Sequence, residues 1–302
     1  MEGVAYSKGA QEGIGFQLGE DGIRNTCLYR KDETRGAPLR KPPRITVITP
    51  SFNQGRFIEE TIKSVLDQDY PDLEYIVMDG GSKDNTVEIL RKYEPRLKWV
   101  SERDRGQSDA INKGIGKATG DIIAYLNSDD HYEPGALEKV ARFFVKNPEK
   151  VWVTGRCRII DTDGKEVRRF ITEYKNFLLG RYSYNILLVT NFISQPATFL
   201  RKEAFDSFGL FDETQHRVMD YDFWLRMGAN HAPGILADYL ASFRVHPASK
   251  TSSSFHSTFK EELEVARKYS GSAFLNAIHY LSYLGIRAAY TALDSAARRK
   301  RA

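Results

Sequence analysis

Cysteine is scarce in this chain, and so are long apolar runs. Its 302 residues include 2 cysteines, Cys27 and Cys157, which are too few and too far apart for a disulfide framework or a cysteine-ligated zinc site. We therefore expect reduced thiols and a cytoplasmic setting. Residues 1–22 are rich in glycine and acidic side chains and contain no apolar segment, so we expect no signal peptide there.

An excess of one charge and the glycine-rich phosphate loops are also missing. The net charge of +4 is small and scattered, which argues against nucleic acid as a partner. No G-x-x-x-x-G-K-[ST] motif occurs, and Gly13-x-Gly15 and Gly114-x-Gly116 lack the spacing of a dinucleotide loop. A phosphate-bearing ligand would therefore depend on a metal to neutralise most of its charge.

Two adjacent carboxylates at the end of an apolar run are the most informative feature present. The stretch Asp121-Ile-Ile-Ala-Tyr-Leu-Asn-Ser-Asp-Asp130 ends in Asp129 and Asp130. Neighbouring aspartates repel each other, and a hard divalent cation such as Mg²⁺ or Mn²⁺ readily holds such a pair together. The alternative is that one of them caps the helix that begins near Glu133-Pro134.

Four apolar runs before residue 150 are each followed by polar residues and then by a helical pattern. They lie at 45–49, 73–78, 97–100 and 122–126. Strands that alternate with helices predict an α/β fold with a mainly parallel sheet. Because ligands bind beyond the carboxyl ends of such strands, we expect Ser51, Asp79, Arg105 and Asp130 to line one edge.

Six motifs follow one another between Arg44 and His246, over about two thirds of the chain. They are Val47-Ile-Thr-Pro-Ser-Phe-Asn53, Asp79-Gly-Gly-Ser-Lys-Asp-Asn-Thr86, Asp104-Arg-Gly-Gln-Ser-Asp-Ala-Ile-Asn-Lys-Gly114, Leu126-Asn-Ser-Asp-Asp130, Met219-Asp-Tyr-Asp-Phe-Trp-Leu-Arg226 and Arg244-Val-His-Pro-Ala-Ser-Lys250. In this order they resemble family 2 of the inverting glycosyltransferases. The resemblance implies a GT-A (Rossmann-like) fold, with a mainly parallel central sheet flanked by helices.

The same resemblance implies the reaction. A hexosyl or deoxyhexosyl group would pass from a nucleotide-diphosphate sugar, with UDP and dTDP sugars favoured, to an acceptor hydroxyl in cell-surface glycan synthesis. The acceptor would be a glycan or a lipid-linked glycan. The Q-x-x-R-W signature of processive synthases is replaced by Phe223-Trp-Leu-Arg-Met227, so we expect one sugar per encounter.

Residue roles at the donor side also follow from the resemblance. Pro50, Ser51 and Asp79 would hold the nucleoside, and Arg105 would reach the nucleotide. The alternatives from the residues themselves are turn chemistry for Asp79, beside two glycines, and a solvated loop charge for Arg105.

The metal would lie between the donor diphosphate and the Asn-Ser-Asp-Asp motif. The resemblance implies that Asp130 is the direct ligand, that Asp129 lies near the ribose or a metal-bound water, and that His246 approaches the metal or the diphosphate. Mg²⁺ or Mn²⁺ fits oxygen ligation. The alternative for His246 is a histidine whose hydrogen bonds are satisfied, in a turn before Pro247.

The acceptor hydroxyl must lose its proton during an inverting attack, which requires a general base. The resemblance assigns this role to Asp220. The Glu-Asp pair usual in the family reads Met219-Asp220 here, so the base loses an acidic neighbour and its pKa should rise less. The alternative is that Asp220 only caps the helix of residues 221–227.

The domain prediction has three parts. Residues 1–43 form an irregular lead-in, residues 44–255 form the catalytic domain, and residues 256–302 form a C-terminal helical extension. Within the catalytic domain, 44–150 form the donor half and 151–255 the acceptor half. The sequence leaves open whether the chain is a homo-oligomer.

The pattern from Ala273 to Leu293 predicts an amphipathic helix. Its apolar face carries Phe274, Leu275, Ile278, Leu281, Leu284, Ala288 and Ala289. Asn276, His279 and Arg287 argue against a membrane-spanning segment. The helix could lie on the inner membrane face, with Arg298–Arg301 contacting anionic lipid, or it could pack on the catalytic domain or a dimer partner.

Two other functions remain open from the sequence. A sugar-nucleotide nucleotidyltransferase would share the sheet and the metal, although Pro50–Arg56 lacks the expected glycine-rich arginine-lysine loop. A carbohydrate-binding relative without catalysis is the second.

Overall fold

A computed structural model describes residues 28–29, 41–247 and 255–299. Nine strands within these ranges form one sheet. They are β1 (Leu28–Tyr29), β2 (Ile45–Ser51), β3 (Leu73–Asp79), β4 (Lys98–Ser101), β5 (Ile122–Tyr125), β6 (His131–Tyr132), β7 (Trp152–Ile160), β8 (Thr198–Arg201) and β9 (Gly234–Arg244). Their order is β1-β9-β7-β8-β5-β2-β3-β4, and β6 pairs with β9.

The strands of the donor half are parallel. β2 pairs in parallel with β3 and β5, and β3 pairs in parallel with β4. Antiparallel pairs begin where β5 meets β8 and continue from β8 to β7 and from β6 to β9. The predicted α/β class with a mainly parallel sheet is therefore confirmed.

Ten α-helices and one short 3₁₀ helix lie within the described residues. The α-helices are α1 (Ile58–Leu66), α2 (Thr86–Lys92), α3 (Gln107–Lys117), α4 (Ala136–Lys146), α5 (Arg169–Leu179), α6 (Tyr184–Val189), α7 (Glu203–Phe208), α8 (Met219–Gly228), α9 (Phe255–Tyr269) and α10 (Ala273–Arg299); the 3₁₀ helix is Gln195–Ala197.

Successive side chains of a strand point to opposite sides of the sheet, and here both sides are buried. Val47 joins one apolar cluster, with Ile58 of α1 and Leu137 of α4. Ile48, the next residue, joins a second cluster, with Ile111 of α3. Helices therefore cover the sheet on both sides, which leaves the carboxyl ends of its strands as the place for a ligand.

Both ends of the chain contribute to this fold more than the domain prediction implied. Within the lead-in expected to be irregular, β1 pairs in parallel with β9, Leu28 opposite Ile235; the other residues before 41 lie outside the described ranges. In α9, Val265 and Ala266 are buried in the same cluster as Trp224 of α8. The first helix of the C-terminal extension is thus part of the core.

The helix predicted for 273–293 is present as α10. Its histidine, His279, is buried, and burial lowers the pKa of that imidazole to about 4. Phe274 and Leu281, from the predicted apolar face, are 72% and 66% exposed. The helix therefore packs through part of its polar face and turns apolar side chains outward. Within the described ranges, no helix combines the length and apolar character needed to cross a bilayer.

Candidate active site

Two neighbouring strands end side by side at the predicted donor edge. Ser51 of β2 lies opposite Asp79 of β3, and both side chains are buried. Ser51 Oγ has no hydrogen-bond partner among the described residues. A buried hydroxyl without a hydrogen-bond partner is energetically costly. Ser51 can therefore still form a hydrogen bond with a ligand at the strand end. Pro50, directly before it, is buried too.

Asp79 organises the turn that follows β3. Its Oδ2 accepts hydrogen bonds from the Ser82 N–H at 2.9 Å and from Ser101 Oγ at 2.6 Å, and its Oδ1 accepts one from Ser82 Oγ. These are the contacts that the turn alternative describes. The prediction that Asp79 also accepts a base N–H stays a prediction.

Arg105 is turned toward helix α3 and the acceptor half. Its side chain is 74% exposed and pairs with Asp109 at 2.8 Å and with Glu213 at 2.7 Å. Ionic hydrogen bonds with Asp109 raise the pKa of the guanidinium, and the charge of Glu213 adds to this. The expected contact of Arg105 with a nucleotide would require breaking these pairs.

Asp129 and His246 meet at the end of β5. Their Oδ2 and Nε2 atoms are 3.0 Å apart, although 117 residues separate them in the chain. The ring of Phe57, before α1, packs against the imidazole with 4.8 Å between centroids. His246 is therefore buried with a hydrogen-bond partner, as the alternative of a satisfied histidine describes. Its approach to a metal or a diphosphate stays a prediction.

Asp130, the predicted direct ligand, points into the protein. Its side chain is fully buried, and its oxygens accept hydrogen bonds from the Arg244 N–H at 2.8 Å and from Asn127 Nδ2 at 3.1 Å. Burial raises the pKa of this carboxyl well above its ordinary value, and the charge of Asp129 raises it further. The two adjacent aspartates thus have different surroundings.

Neither aspartate caps the following helix. Helix α4 begins at Ala136, and its N-cap is Gly135, in the left-handed region at φ 72°. In its first turn, the Leu137 N–H donates to Gln68 Oε1 at 3.3 Å. The capping alternative for Asp129 and Asp130 is wrong, because Gly135 redirects the chain before the helix starts.

Arg244 connects the segments at this edge of the sheet, a role that the sequence did not indicate. The side chain is 1% exposed. Its Nε donates to the Asp129 carbonyl at 2.9 Å, and Nη1 donates to the carbonyl of Asp161 at 3.0 Å. Nη2 pairs with Glu60 of α1 at 2.6 Å. The loop that carries His246 is therefore fixed to β5 and α1 at one point.

A network of side-chain amides lies beside the aspartates. Gln107 Nε2 donates to Asn127 Oδ1 at 2.6 Å, while Gln195 Nε2 donates to the Tyr125 carbonyl at 2.6 Å. Asn127 Nδ2 also lies 3.3 Å from Gln195 Oε1. These contacts link the start of α3, the end of β5 and the 3₁₀ helix, so they fix the position of the Asn-Ser-Asp-Asp segment.

Asp220 lies in the first turn of α8, half-buried. The N-cap of this helix is Val218, without a side-chain cap, and Asp220 Oδ1 accepts the N–H of Tyr221 at 2.8 Å. Asp220 is therefore not the N-cap residue, but it does accept an N–H of the first turn. Burial raises the pKa of Asp220 above its ordinary value, against the effects of the Tyr221 N–H and Lys175. A raised pKa suits a carboxylate that must take a proton.

Asp220 and Asp130 both act on Tyr125, a tyrosine of β5. Burial raises the pKa of Tyr125 on β5, and the charges of Asp220 and Asp130 both add to this effect. Both carboxylates are therefore within electrostatic range of one hydroxyl. Asp222, two residues beyond Asp220, instead bonds Arg226 at 2.9 Å, a structural role.

The sheet and the polar side chains at the carboxyl ends of its strands are typical of glycosyltransferases. Residues 46–209 match the sequence profile of glycosyl transferase family 2. Because this match spans more than half of the chain, the protein belongs to that family.

Curated relatives agree with this assignment. An uncharacterized glycosyltransferase of Haemophilus influenzae is 28% identical over 260 residues, 81% of this chain and 76% of its own. The chondroitin synthase of Escherichia coli is 28% identical over 208 residues, 66% of this chain but 29% of its own. The chain therefore spans less than a third of that enzyme. A Bacillus subtilis protein named as teichuronic acid biosynthesis glycosyltransferase TuaG is 38% identical over 133 residues, 43% of this chain and 52% of its own.

Solved structures share the fold. The mannosyltransferase PcManGT of Pyrobaculum calidifontis, in complex with GDP-Man and Mn²⁺, superposes with a TM-score of 0.64 at 20% identity, covering 86% of this chain and 76% of its own. TarS 1-349 of S. aureus, in complex with UDP-GlcNAc, superposes with a TM-score of 0.57 at 18% identity, covering 80% and 71%. The predicted GT-A fold is confirmed.

Proposed function

We propose that the protein is an inverting glycosyltransferase that moves one sugar from a nucleotide-diphosphate sugar to an acceptor hydroxyl during cell-surface glycan synthesis. The observation that carries this proposal is the pairing of Asp129 with His246 at 3.0 Å. A half-buried Asp220 in the first turn of α8 supports it. Two of the relatives, a chondroitin synthase and a teichuronic acid biosynthesis glycosyltransferase, support a glycan product.

The donor nucleoside binds at the ends of β2 and β3 in this proposal. Ser51 offers a buried hydroxyl without a partner among the described residues, which a base or ribose oxygen would satisfy. Asp79 lies opposite it, and Pro50 forms the wall. UDP and dTDP sugars are the favoured donors. Arg105 would reach the nucleotide only after its ion pairs with Asp109 and Glu213 break.

The residues at the end of β5 fit a divalent cation. Asp129 supplies a carboxylate oxygen and His246 a ring nitrogen within 3.0 Å of each other. Within the described ranges, no group of three His, Cys, Asp or Glu side chains could hold a metal ion. Mg²⁺ in such sites commonly takes one or two protein ligands together with substrate phosphates and water, so two ligands are enough.

We assign the ligation to Asp129 and His246 ahead of Asp130. The earlier expectation for Asp130 has less support, because its oxygens already accept hydrogen bonds from Arg244 and Asn127. Asp130 instead holds the loop of Arg244 against β5. When bound, Mg²⁺ or Mn²⁺ neutralises the charge of the leaving diphosphate and orients the donor.

Asp220 is the general base. The acceptor oxygen attacks the anomeric carbon from the face opposite the diphosphate; the new carbon–oxygen bond forms as the bond to the diphosphate breaks. The acceptor proton passes to Asp220, and the electron pair of the broken bond leaves with the diphosphate. The hydrogen bond from the Tyr221 N–H to Oδ1 orients the carboxylate for this transfer, so that its other oxygen, Oδ2, can face the acceptor.

The acceptor is a lipid-linked glycan in this account, and α10 brings the enzyme to the inner membrane face. Exposed Phe274, Leu281 and Leu284 form the outward surface of this helix, with Arg287 exposed nearby. The sequence continues into Arg298–Arg301. Apolar side chains beside cations are the chemistry that an anionic lipid surface takes.

A thermal-shift screen of UDP, dTDP and GDP with and without Mn²⁺ tests the donor proposal. A ligand that binds only the folded state raises the melting temperature by mass action. We expect a metal-dependent rise with UDP or dTDP. The absence of a rise with all three nucleotides would contradict donor binding, and so remove the basis of the proposed reaction. Release of free nucleoside diphosphate from the donor separates an enzyme from a binding module.

A further inference from the structure

The loop between the proposed nucleoside site and the proposed metal site carries an exposed arginine. Residues 52–56 run from Ser51, at the end of β2, to Phe57, whose ring packs on the imidazole of His246 with 4.8 Å between centroids. In a nucleotide-diphosphate sugar, the diphosphate joins the nucleoside to the sugar and is the part that a metal binds. The loop therefore connects, in the protein, the two sites that the diphosphate connects in the donor.

Arg56 is the last residue of this loop, and its side chain is exposed. Its Cζ atom lies 5.0 Å from the centroid of the Phe57 ring, the same ring that packs on His246. The guanidinium and the imidazole are therefore neighbours of one aromatic side chain. A guanidinium that stacks on a ring uses its flat face, so its N–H groups stay free to bind an anion.

The backbone of the loop is fixed to the turn that follows β3. The Asn53 N–H donates to Ser82 Oγ at 2.7 Å, and the Gly55 N–H donates to Asp84 Oδ2 at 2.8 Å. These hydrogen bonds define the position from which Arg56 extends, while its side chain is left exposed. A long side chain on a fixed backbone can change its rotamer to reach a ligand without moving the loop.

Two other arginines near this edge already have partners. Arg244 is 1% exposed, and each nitrogen of its guanidinium contacts a carbonyl or a carboxylate. Arg105 pairs with two carboxylates. Among the described residues, no carboxylate forms an ion pair with Arg56, whose contact is the ring of Phe57. Arg56 can therefore bind an anionic ligand without giving up an ion pair.

One divalent ion does not balance the charge at this place. Asp129 contributes a carboxylate, and each phosphate group of the donor carries a negative charge, so Mg²⁺ or Mn²⁺ between them leaves an excess of negative charge. The excess grows as the sugar is transferred, because the electron pair of the broken bond stays on the diphosphate. An arginine can bond two phosphate oxygens at once through its planar fork. A guanidinium beside the metal would compensate this excess.

We propose that Arg56 is a diphosphate-binding residue, which stacks on Phe57 in the free protein and extends its guanidinium to the phosphate oxygens when the donor binds. This inference rests on the proposed function and adds a cation that the sequence motifs did not indicate. Phe57 then supports two binding groups, because its ring contacts both the His246 imidazole and the Arg56 guanidinium.

Calorimetry of UDP binding in the presence of Mn²⁺ tests this role. Arg56→Met keeps an unbranched side chain over the Phe57 ring but removes the charge. The affinity for UDP should fall by about 10-fold or more, as expected for the loss of a charge-assisted hydrogen bond. Arg56→Lys keeps the charge without the planar fork and should recover part of that loss. Arg91→Met, at an exposed position on α2, is the matched control and should bind UDP like the wild type.

A comparison with uridine separates phosphate binding from a general defect of the loop. Uridine has no phosphate, so its weaker affinity, measured by ligand-observed NMR titration, should be the same for Arg56→Met and the wild type. Wild-type UDP affinity in Arg56→Met, or an equal loss of UDP and uridine affinity, overturns the inference while leaving the proposed function intact. If the wild type binds neither UDP nor uridine, the donor proposal and this inference are both wrong.

Discussion

His246 Nε2 lies 3.0 Å from Asp129 Oδ2, across a gap of 117 residues in the chain. One atom is a nitrogen that can bind a metal, and the other is a carboxylate oxygen that can do the same. Arg244 holds the two segments together, because its backbone N–H bonds Asp130 and its side chain bonds the Asp129 carbonyl. The pair is therefore preorganised by contacts that do not use its own ligating atoms.

The first prediction concerns Asp220. Asp220→Asn keeps the size of the side chain and can still accept the Tyr221 N–H, but it cannot take a proton. Transfer should fall by about 10²-fold or more, while nucleotide affinity in calorimetry stays at the wild-type value. Asp222→Asn is not a suitable control, because Asp222 bonds Arg226 and Tyr269; Asp206→Asn, at an exposed position on α7, is. Transfer by Asp220→Asn at close to the wild-type rate would exclude this base.

The second prediction concerns Arg244. Arg244→Met leaves the carbonyls of Asp129 and Asp161 without their buried donor. The free energy of unfolding should therefore fall by about 3 kcal/mol or more. Metal-dependent nucleotide binding should be lost as well. Glu60→Gln removes only the partly exposed end of the ion pair and should cost about 1 kcal/mol or less. Urea unfolding curves measure both; equal stability of the two variants would rule out the anchoring role.

The third prediction concerns pH and the buried Glu74. Burial opposes ionisation of this carboxyl, but hydrogen bonds from the Thr119 N–H, Lys98 and Thr46 lower its pKa to about 2. A depressed folded-state pKa stabilises the protein above the unfolded-state pKa and loses that effect as pH falls through the folded value. Glu74→Gln should therefore destabilise the protein by about 2–3 kcal/mol at neutral pH, and the difference from wild type should vanish toward about pH 2.

Stability curves over this pH range check the third prediction. Glu149→Gln, at an exposed position, serves as the control and should behave like wild type throughout. A difference between Glu74→Gln and wild type that stays constant from neutral to acidic pH would contradict the role of ionised Glu74.

The fourth prediction concerns the outward face of α10. Phe274, Leu281 and Leu284 are exposed, so changing all three to serine should leave the fold intact while abolishing sedimentation with anionic vesicles. Wild-type binding should weaken with salt, since screening reduces surface attraction. Val145→Ser, an exposed apolar residue of α4, is the control. If the wild type does not bind anionic vesicles at low salt, or the triple variant binds equally well, α10 does not contact lipid.

The order of strands and helices in the donor half could be predicted because it depends on local patterns. Apolar runs, turn residues and helical spacing are properties of neighbouring positions. They were enough to expect Ser51 and Asp79 at one edge, and the two residues are indeed paired across β2 and β3.

The orientation of Asp129 and Asp130 could not be predicted in the same way. Adjacent residues in a turn can point in opposite directions, and the choice depends on Arg244, more than 100 residues later. The burial of Val265 and Ala266 also depends on how α9 packs against α8. The spacing of polar and apolar residues likewise predicted two faces for α10 but not which face meets the core, since that depends on the surface beneath it.

The central claim is that Asp129 and His246 bind the metal that holds the donor diphosphate, and calorimetry of UDP binding with Mn²⁺ tests it most directly. Wild type and Asp220→Asn should bind UDP with an affinity that depends on Mn²⁺. Asp129→Asn and His246→Gln should lose that dependence while both proteins remain folded, as unfolding curves without ligand check. Retention of Mn²⁺-dependent binding by Asp129→Asn, at the wild-type affinity, would contradict the account.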